Sequence, residues 1–170
     1  VDASPLPVGI YDRGENGSVV VPGEALEQVL HADKVVLVKD SSCDRDRRDM
    51  YRRTALTRDN LHLLNGFEFD CVSYLEAGYD GLLLGGGIFN GFLANSLLQA
   101  VAEGNLPAAQ ALQDRMNRLM WDVYGGRNIE CWLTGLKHLL VKLGVFRTTI
   151  SYLGYPLTPS CKEAIAGAIE

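Results

Sequence analysis

The sequence has no Cys-x-x-Cys pair. Its four cysteines, Cys43, Cys71, Cys131 and Cys161, stand far apart, which excludes a zinc site built on paired thiolates and gives no disulfide framework. It has no excess of basic residues either: 16 Lys and Arg face 21 Asp and Glu, for a net charge of −5. An acidic chain without a basic stripe excludes nucleic acid as the main partner. No apolar run approaches the length of a membrane span. Val1 to Pro7 carry no signal-peptide pattern, and scattered cysteines suit a reducing compartment, so a cytoplasmic protein is expected. Gly-x-Gly-x-x-Gly and Gly-Lys-Ser/Thr are both missing, and no Ser/His/Asp arrangement can be assembled from His31, His62 and His138.

What is present is an ordinary globular composition: 170 residues, 47% hydrophobic and 22% charged. Four short apolar runs alternate with helical patterns. The runs are Pro7–Tyr11, Val35–Lys39, Leu61–Asn65 and Gly81–Gly85. The second and fourth are continuously apolar, which predicts parallel strands buried on both faces. Pro22 opens a helix through Leu30, Asp44 caps one to about Ala55, and Phe67–Ala77 forms a third that Gly78 ends. After the fourth strand only helices are expected, over Phe92–Ala102, Leu106–Val123, Glu130–Leu143 and from Pro159 onward. Strands separated by helices spell repeated βα units with right-handed crossovers.

Repeated βα units place their chemistry at the carboxyl ends of the strands, whether the sheet is open and doubly wound or part of a (β/α)8 barrel. Those ends carry Tyr11, Lys39, Asn65–Gly66 and Gly85–Gly87. Lys39 follows four aliphatic residues. Partial desolvation there disfavours the ammonium and frees a neutral amine that can condense with a ketone. Periodicity alone favours the plainer reading, a lysine that snorkels to solvent. A phenol at the end of the adjacent strand can exchange protons with the same reacting atom, since neighbouring strands lie about 5 Å apart. Gly85–Gly87 before a helix offers backbone N–H groups to an anion such as phosphate, or simply makes a tight turn. His62, between Leu61 and Leu63, reads as structural.

These landmarks resemble one family. Pro7-Val8-Gly9-Ile10-Tyr11-Asp12 and Val35-Val36-Leu37-Val38-Lys39-Asp40-Ser41-Ser42 are similar to the tyrosine and lysine strands of the dihydrodipicolinate synthase and N-acetylneuraminate lyase family, with the same spacing between them. Leu64-Asn65-Gly66, Glu76–Gly81, Glu103–Ala109 and Leu153–Pro159 resemble the landmarks that follow. The resemblance implies a TIM (β/α)8 barrel whose later four βα units occupy residues 1–102, with a helical extension over 103–170. It implies Schiff-base aldolase or lyase chemistry on pyruvate or another 2-keto acid and an aldehyde. Lys39 would be the amine, Tyr11 the proton relay, and Asn65, Gly66, Leu83 and Gly85 the substrate-binding residues. It implies no metal or dissociable cofactor, and a homodimer or homotetramer.

The family's dihydrodipicolinate synthases carry an arginine a few residues past the tyrosine. Asn16 stands near that place here, and Arg13 comes too early. That departs from the synthase pattern and leaves a sugar-acid aldolase or another relative of the family. A closed barrel needs eight strands and about 250 residues, and four strands alone leave open edges and an apolar face. The chain also opens on Val1 rather than Met. We therefore expect the C-terminal portion of a longer protein, its earlier half supplied from elsewhere and the chain alone unable to turn over substrate. Two other readings keep the chain apart from catalysis of this kind: a half-barrel assembly or regulatory module, and an α/β enzyme binding phosphate at Gly85–Gly87.

Overall fold

The computed structural model describes residues 1–169. Four parallel strands form one sheet in the order β1-β2-β3-β4: β1 Val8–Asp12, β2 Val35–Asp40, β3 His62–Asn65 and β4 Gly81–Leu82. Three helices separate them: α1 Gly23–Leu30, α2 Arg45–Ala55 and α3 Cys71–Glu76. Then come α4 Gly87–Ala102, α5 Leu106–Tyr124, α6 Trp132–Lys142 and α7 Pro159–Ile169. The chain divides into two compact units inside α5, Val1–Gln113 and Asp114–Glu170.

Local chemistry explains most boundaries. The Asp44 side chain accepts from the N–H groups of Asp46 and Arg47 and starts α2 as expected of an N-cap aspartate. At the C-terminal end of α1, Arg58 donates to the Leu30 carbonyl, an orphan acceptor of that helix, and to the Ala32 carbonyl just beyond it. Gly78, at φ +95°, adopts the left-handed conformation that ends α3.

Three expectations change. The helix predicted over Phe67–Ala77 is shorter, because the Asn65 amide accepts from Phe67 N at 2.7 Å and donates to Phe67 O at 3.0 Å, holding a turn there. The helix predicted from Phe92 begins at Gly87. The Glu68 carboxylate accepts from Gly86 N at 2.5 Å and does the work of a cap. The fourth strand pairs over only two residues, although Leu83 N still donates to Asn65 O at 2.8 Å.

The sheet has two unlike faces. On one, Ile10, Val38 and Leu63 pack with Leu26 and Leu30 of α1, Met50 and Tyr51 of α2, and Tyr74 and Tyr79. On the other stand Gly9, Tyr11, Leu37, Lys39, Leu64, Gly66 and Leu83, all half-buried or exposed. The expectation of burial on both faces is thus corrected: within residues 1–113 the helices cover one face. Side chains alternate along a strand, so Lys39 and its neighbours Val38 and Asp40 necessarily point to opposite sides.

In the second unit, Gly125 and Gly126 end α5 with positive φ. The Arg127 guanidinium lies 3.8 Å from the Trp121 ring, and Trp132 meets Tyr155 edge to face. Cys131 and Cys161 are buried free thiols, and burial first of all pushes Cys161 up to about 12. Among the described residues, no helix is long and apolar enough to cross a membrane.

Candidate active site

The strand register brings the two expected reacting residues together. Tyr11 is the partner of Lys39, and Asp12 of Asp40. Parallel partners in register share a face, so both Tyr11 and Lys39 project from the open side. The Lys39 Nζ stands over the Tyr11 ring, 4.3 Å from its centroid. The contact is ammonium to aromatic face. The ring face, and not the hydroxyl, meets Nζ.

On the opposite side of Lys39 lies Gly66. A Cβ at residue 66 would fall 2.1 Å from Ser41 Oγ, 2.8 Å from Lys39 Cε and 3.2 Å from Asp40 O. The missing side chain is the space that the lysine stem and Ser41 occupy. Gly66 N donates to Asp40 O at 2.6 Å, which fixes this close approach. Ser41, two residues past Lys39 and on the same face, has a buried hydroxyl oxygen with no hydrogen-bond partner. An unpaired buried hydroxyl beside an amine is a group free to bind a ligand. The sequence reading did not single out Ser41, though its period-two spacing from Lys39 was the available signal.

The remaining expected residues separate. Asn65 is fully buried on the helix side, with its amide spent on Phe67. It is not offered to the open face, and its expected substrate contact is corrected: period two puts it opposite Leu64 and Gly66. Leu83, 46% exposed, lies just past β4 on the open side. Gly85 is exposed in the turn before α4. The Gly86 N–H, which an anion would need, is already held by the Glu68 carboxylate. A phosphate there would have to displace a group of its own charge, which counts against the phosphate-binding reading. His62 is a surface residue, 3.7 Å from Asp80, and not a structural core histidine. Among the described residues no group of three or more His, Cys, Asp or Glu could hold a metal ion.

Behind the open face a polar layer supports the strand ends. Asp12 accepts from Gly14 N at 2.9 Å, Arg47 Nη1 at 2.9 Å and the Tyr51 hydroxyl at 2.5 Å. Burial alone would raise its carboxyl, but the hydrogen bonds from Tyr51, Gly14 and Arg47 and the Arg47 charge outweigh it and hold the group below its ordinary 3.8. A carboxyl held lower in the folded than in the unfolded chain adds stability that is complete above the unfolded value and is lost as pH falls through the folded one. Asp12→Asn is therefore expected to lower the thermal midpoint at pH 7 and to flatten its fall below about pH 4. Unfolding scans across that range check this, and an unchanged acid slope contradicts it.

Four parallel βα units with one open face, carrying a strand-end lysine over a strand-end tyrosine, have the architecture of half of a (β/α)8 barrel. The profile of the dihydrodipicolinate synthetase family matches residues 1–166, and the chain belongs to that family. It is 27% identical over 173 residues to the N-acetylneuraminate lyase of Salmonella agona, covering 99% of this chain and 51% of that protein. The fold matches dihydrodipicolinate synthase from Thermotoga maritima with a TM-score of 0.82 at 18% identity, over 99% of this chain and 56% of the other. It also matches CdNal from Clostridium difficile, solved in complex with mannosamine, with a TM-score of 0.80 at 20% identity, over 98% and 55%. The chain spans about half the length of the curated relatives it matches, and corresponds to the C-terminal half of their fold.

Proposed function

We propose that this chain supplies the covalent half of a pyruvate-dependent class I aldolase or lyase. The observation that carries the reading is the Lys39–Tyr11 pair: in register, on the open face, with Nζ 4.3 Å from the ring centroid. The neutral amine of Lys39 adds to the keto carbon of a 2-keto acid. The carbinolamine loses water and leaves a protonated imine, which withdraws electrons from the adjacent carbon. Loss of a proton there gives an enamine that attacks an aldehyde carbon; the reverse sequence cleaves the same carbon–carbon bond. Tyr11 relays protons through the bound substrate, to and from the imine and the substrate hydroxyl. The lysine provides the electron sink, so the scheme needs no metal and no dissociable cofactor.

Two features favour a sugar-acid substrate over that of a dihydrodipicolinate synthase. Asn16 stands where the synthases carry an arginine, and the curated relatives at 27% identity are named N-acetylneuraminate lyase. The aldehyde would then be a sugar.

The open face supports a barrel interior that four further strands complete. Large apolar side chains are exposed after both outer strands, Val19 and Val20 after β1 and Leu83, Ile88 and Phe92 after β4. Such surface in water invites partners. The 170-residue chain alone is expected to form the imine without completing turnover, because half the walls of the site are missing.

Borohydride reduction in the presence of pyruvate tests this directly. The reading expects a stoichiometric mass increase of one reduced pyruvate per chain, dependent on both reagents. Intact-protein mass spectra without that increase, at keto-acid concentrations that modify a known Schiff-base aldolase, would overturn it.

A further inference from the structure

Lys39 and Tyr11 share a feature that lies on the hidden side of the sheet. Each is followed by an aspartate, and the alternation of a strand turns each aspartate toward the helix layer. Both carboxylates are withdrawn from water: Asp40 is fully buried, and the Asp12 side chain is 10% exposed. A buried carboxylate is costly unless donors surround it. In each case one donor is a tyrosine hydroxyl from a distant part of the chain. Tyr51 of α2 donates to Asp12 Oδ2 at 2.5 Å, and Tyr79, in the turn before β4, donates to Asp40 Oδ2 at 2.6 Å.

The two sites differ in one respect that matters. Asp12 also meets Arg47, whose Nη1 lies 2.9 Å away. The described donors to Asp40 are all neutral: Ser42 N at 2.9 Å, Ser42 Oγ at 2.7 Å and the Tyr79 hydroxyl. Two of these three come from the same short loop as Asp40 itself. Of these three donors, Tyr79 is the one that ties the Asp40 carboxylate to the turn before β4. It is 5% exposed, and its ring sits edge-on to Tyr74, 5.1 Å between centroids, so the phenol is held in one place. Burial and the Asp40 charge keep it protonated far above ordinary phenol values, and it remains a donor at any working pH.

We infer that Tyr79 is a positioning residue for Lys39, acting through Asp40: the phenol anchors the strand end from behind so that the amine on the other face stays over Tyr11. This rests on Lys39 being the reacting amine. The phenol touches no substrate. Its effect is on where the lysine backbone sits, and a shift of about 1 Å at a reacting group costs up to a hundredfold.

Tyr79→Phe removes one oxygen and keeps the buried ring. The 170-residue chain and this variant are treated with pyruvate and borohydride, and the adduct is quantified by peptide mass spectrometry at Lys39 and, as internal controls, at the exposed Lys142 and Lys162. The expected result is Lys39 modification slowed about tenfold, with both controls unchanged, as loss of one charge-assisted hydrogen bond suggests. In an Asp40→Ala background the same Tyr79→Phe change should then have no further effect on Lys39. A tyrosine with only a structural role lowers the thermal midpoint but leaves the Lys39 rate at the wild-type value below that midpoint, and this outcome overturns the inference. A second readout does not depend on keto-acid chemistry. Competitive acetylation across pH reports the reactivity profile of each lysine, and Tyr79→Phe is expected to shift the Lys39 profile alone. If wild-type Lys39 takes no pyruvate but its acetylation profile still moves in the variant, the aldolase reading fails and the tether stands. If the profile is unmoved, the tether fails whatever pyruvate does.

Discussion

Lys39→Ala is expected to abolish the borohydride-trapped pyruvate adduct while leaving the fold intact. The two halves of that result have separate causes. The adduct requires a primary amine on the open face beside Tyr11, and Lys34, the other lysine of residues 1–113, is engaged elsewhere. Lys34 donates to Asp2 O and Ser4 O near the chain start, and Lys137 to Ile150 O in the second unit. The fold tolerates the change because Lys39 projects from the open face and takes no part in the core of Leu26, Leu30, Val38, Tyr51 and Leu63. What is lost structurally is one contact with the Tyr11 ring, about 1 kcal/mol or less. Lys39→Arg should fail as completely, since a guanidinium stays protonated and forms no imine under these conditions. Circular dichroism and a denaturant midpoint near wild type, together with a blank mass spectrum, are the expected pair of observations. Residual adduct at wild-type level in Lys39→Ala would place the chemistry elsewhere.

Gly66→Ala should be the single added methyl group that most directly disturbs Lys39. The new Cβ would overlap Ser41 Oγ at 2.1 Å and Lys39 Cε at 2.8 Å, and press on the Asp40 carbonyl at 3.2 Å. The hydroxyl can rotate and the lysine stem can swing, but the carbonyl belongs to β2 and accepts from Gly66 N itself. Relief therefore moves either the lysine away from Tyr11 or the two strand ends apart. Overpacking of this kind costs roughly 1–3 kcal/mol. Trapping at Lys39 should fall further than stability does, by about a hundredfold, because the displaced atom is the reacting one. A guanidinium titration and a trapping time course on the same sample separate the two effects. Loss of stability with undiminished trapping would show that Gly66 serves the strand and not the lysine.

Much of this site was legible in the sequence because strand ends announce themselves. Four aliphatics before Lys39, an apolar run before Tyr11 and the spacing between them specify two neighbouring parallel strands, and register then does the rest. Asp44 was equally readable, as a short polar acceptor just ahead of a helix. Where the reading went astray, long-range partners decided the outcome. Asn65 sits at a strand end like Lys39, but period two turns it inward and Phe67 takes its amide. Gly85–Gly87 read as either an anion cradle or a tight turn, and Glu68, seventeen to nineteen residues earlier in sequence, takes the Gly86 N–H and decides for the turn. Tyr79 and Asp40 pair across thirty-nine residues, with no local pattern to mark them. The open face was foreseeable from the strand count alone, whereas burial on both sides was inferred from aliphatic runs that a completed barrel would explain.

The account's central claim is that one amine among five, Lys39, is set apart by its place on the sheet. Proteolytic mapping of the reduced pyruvate adduct tests it most directly. The prediction is label concentrated on the Lys39 peptide, with Lys34, Lys137, Lys142 and Lys162 carrying only traces. Label spread across the lysines in order of their exposure would contradict it.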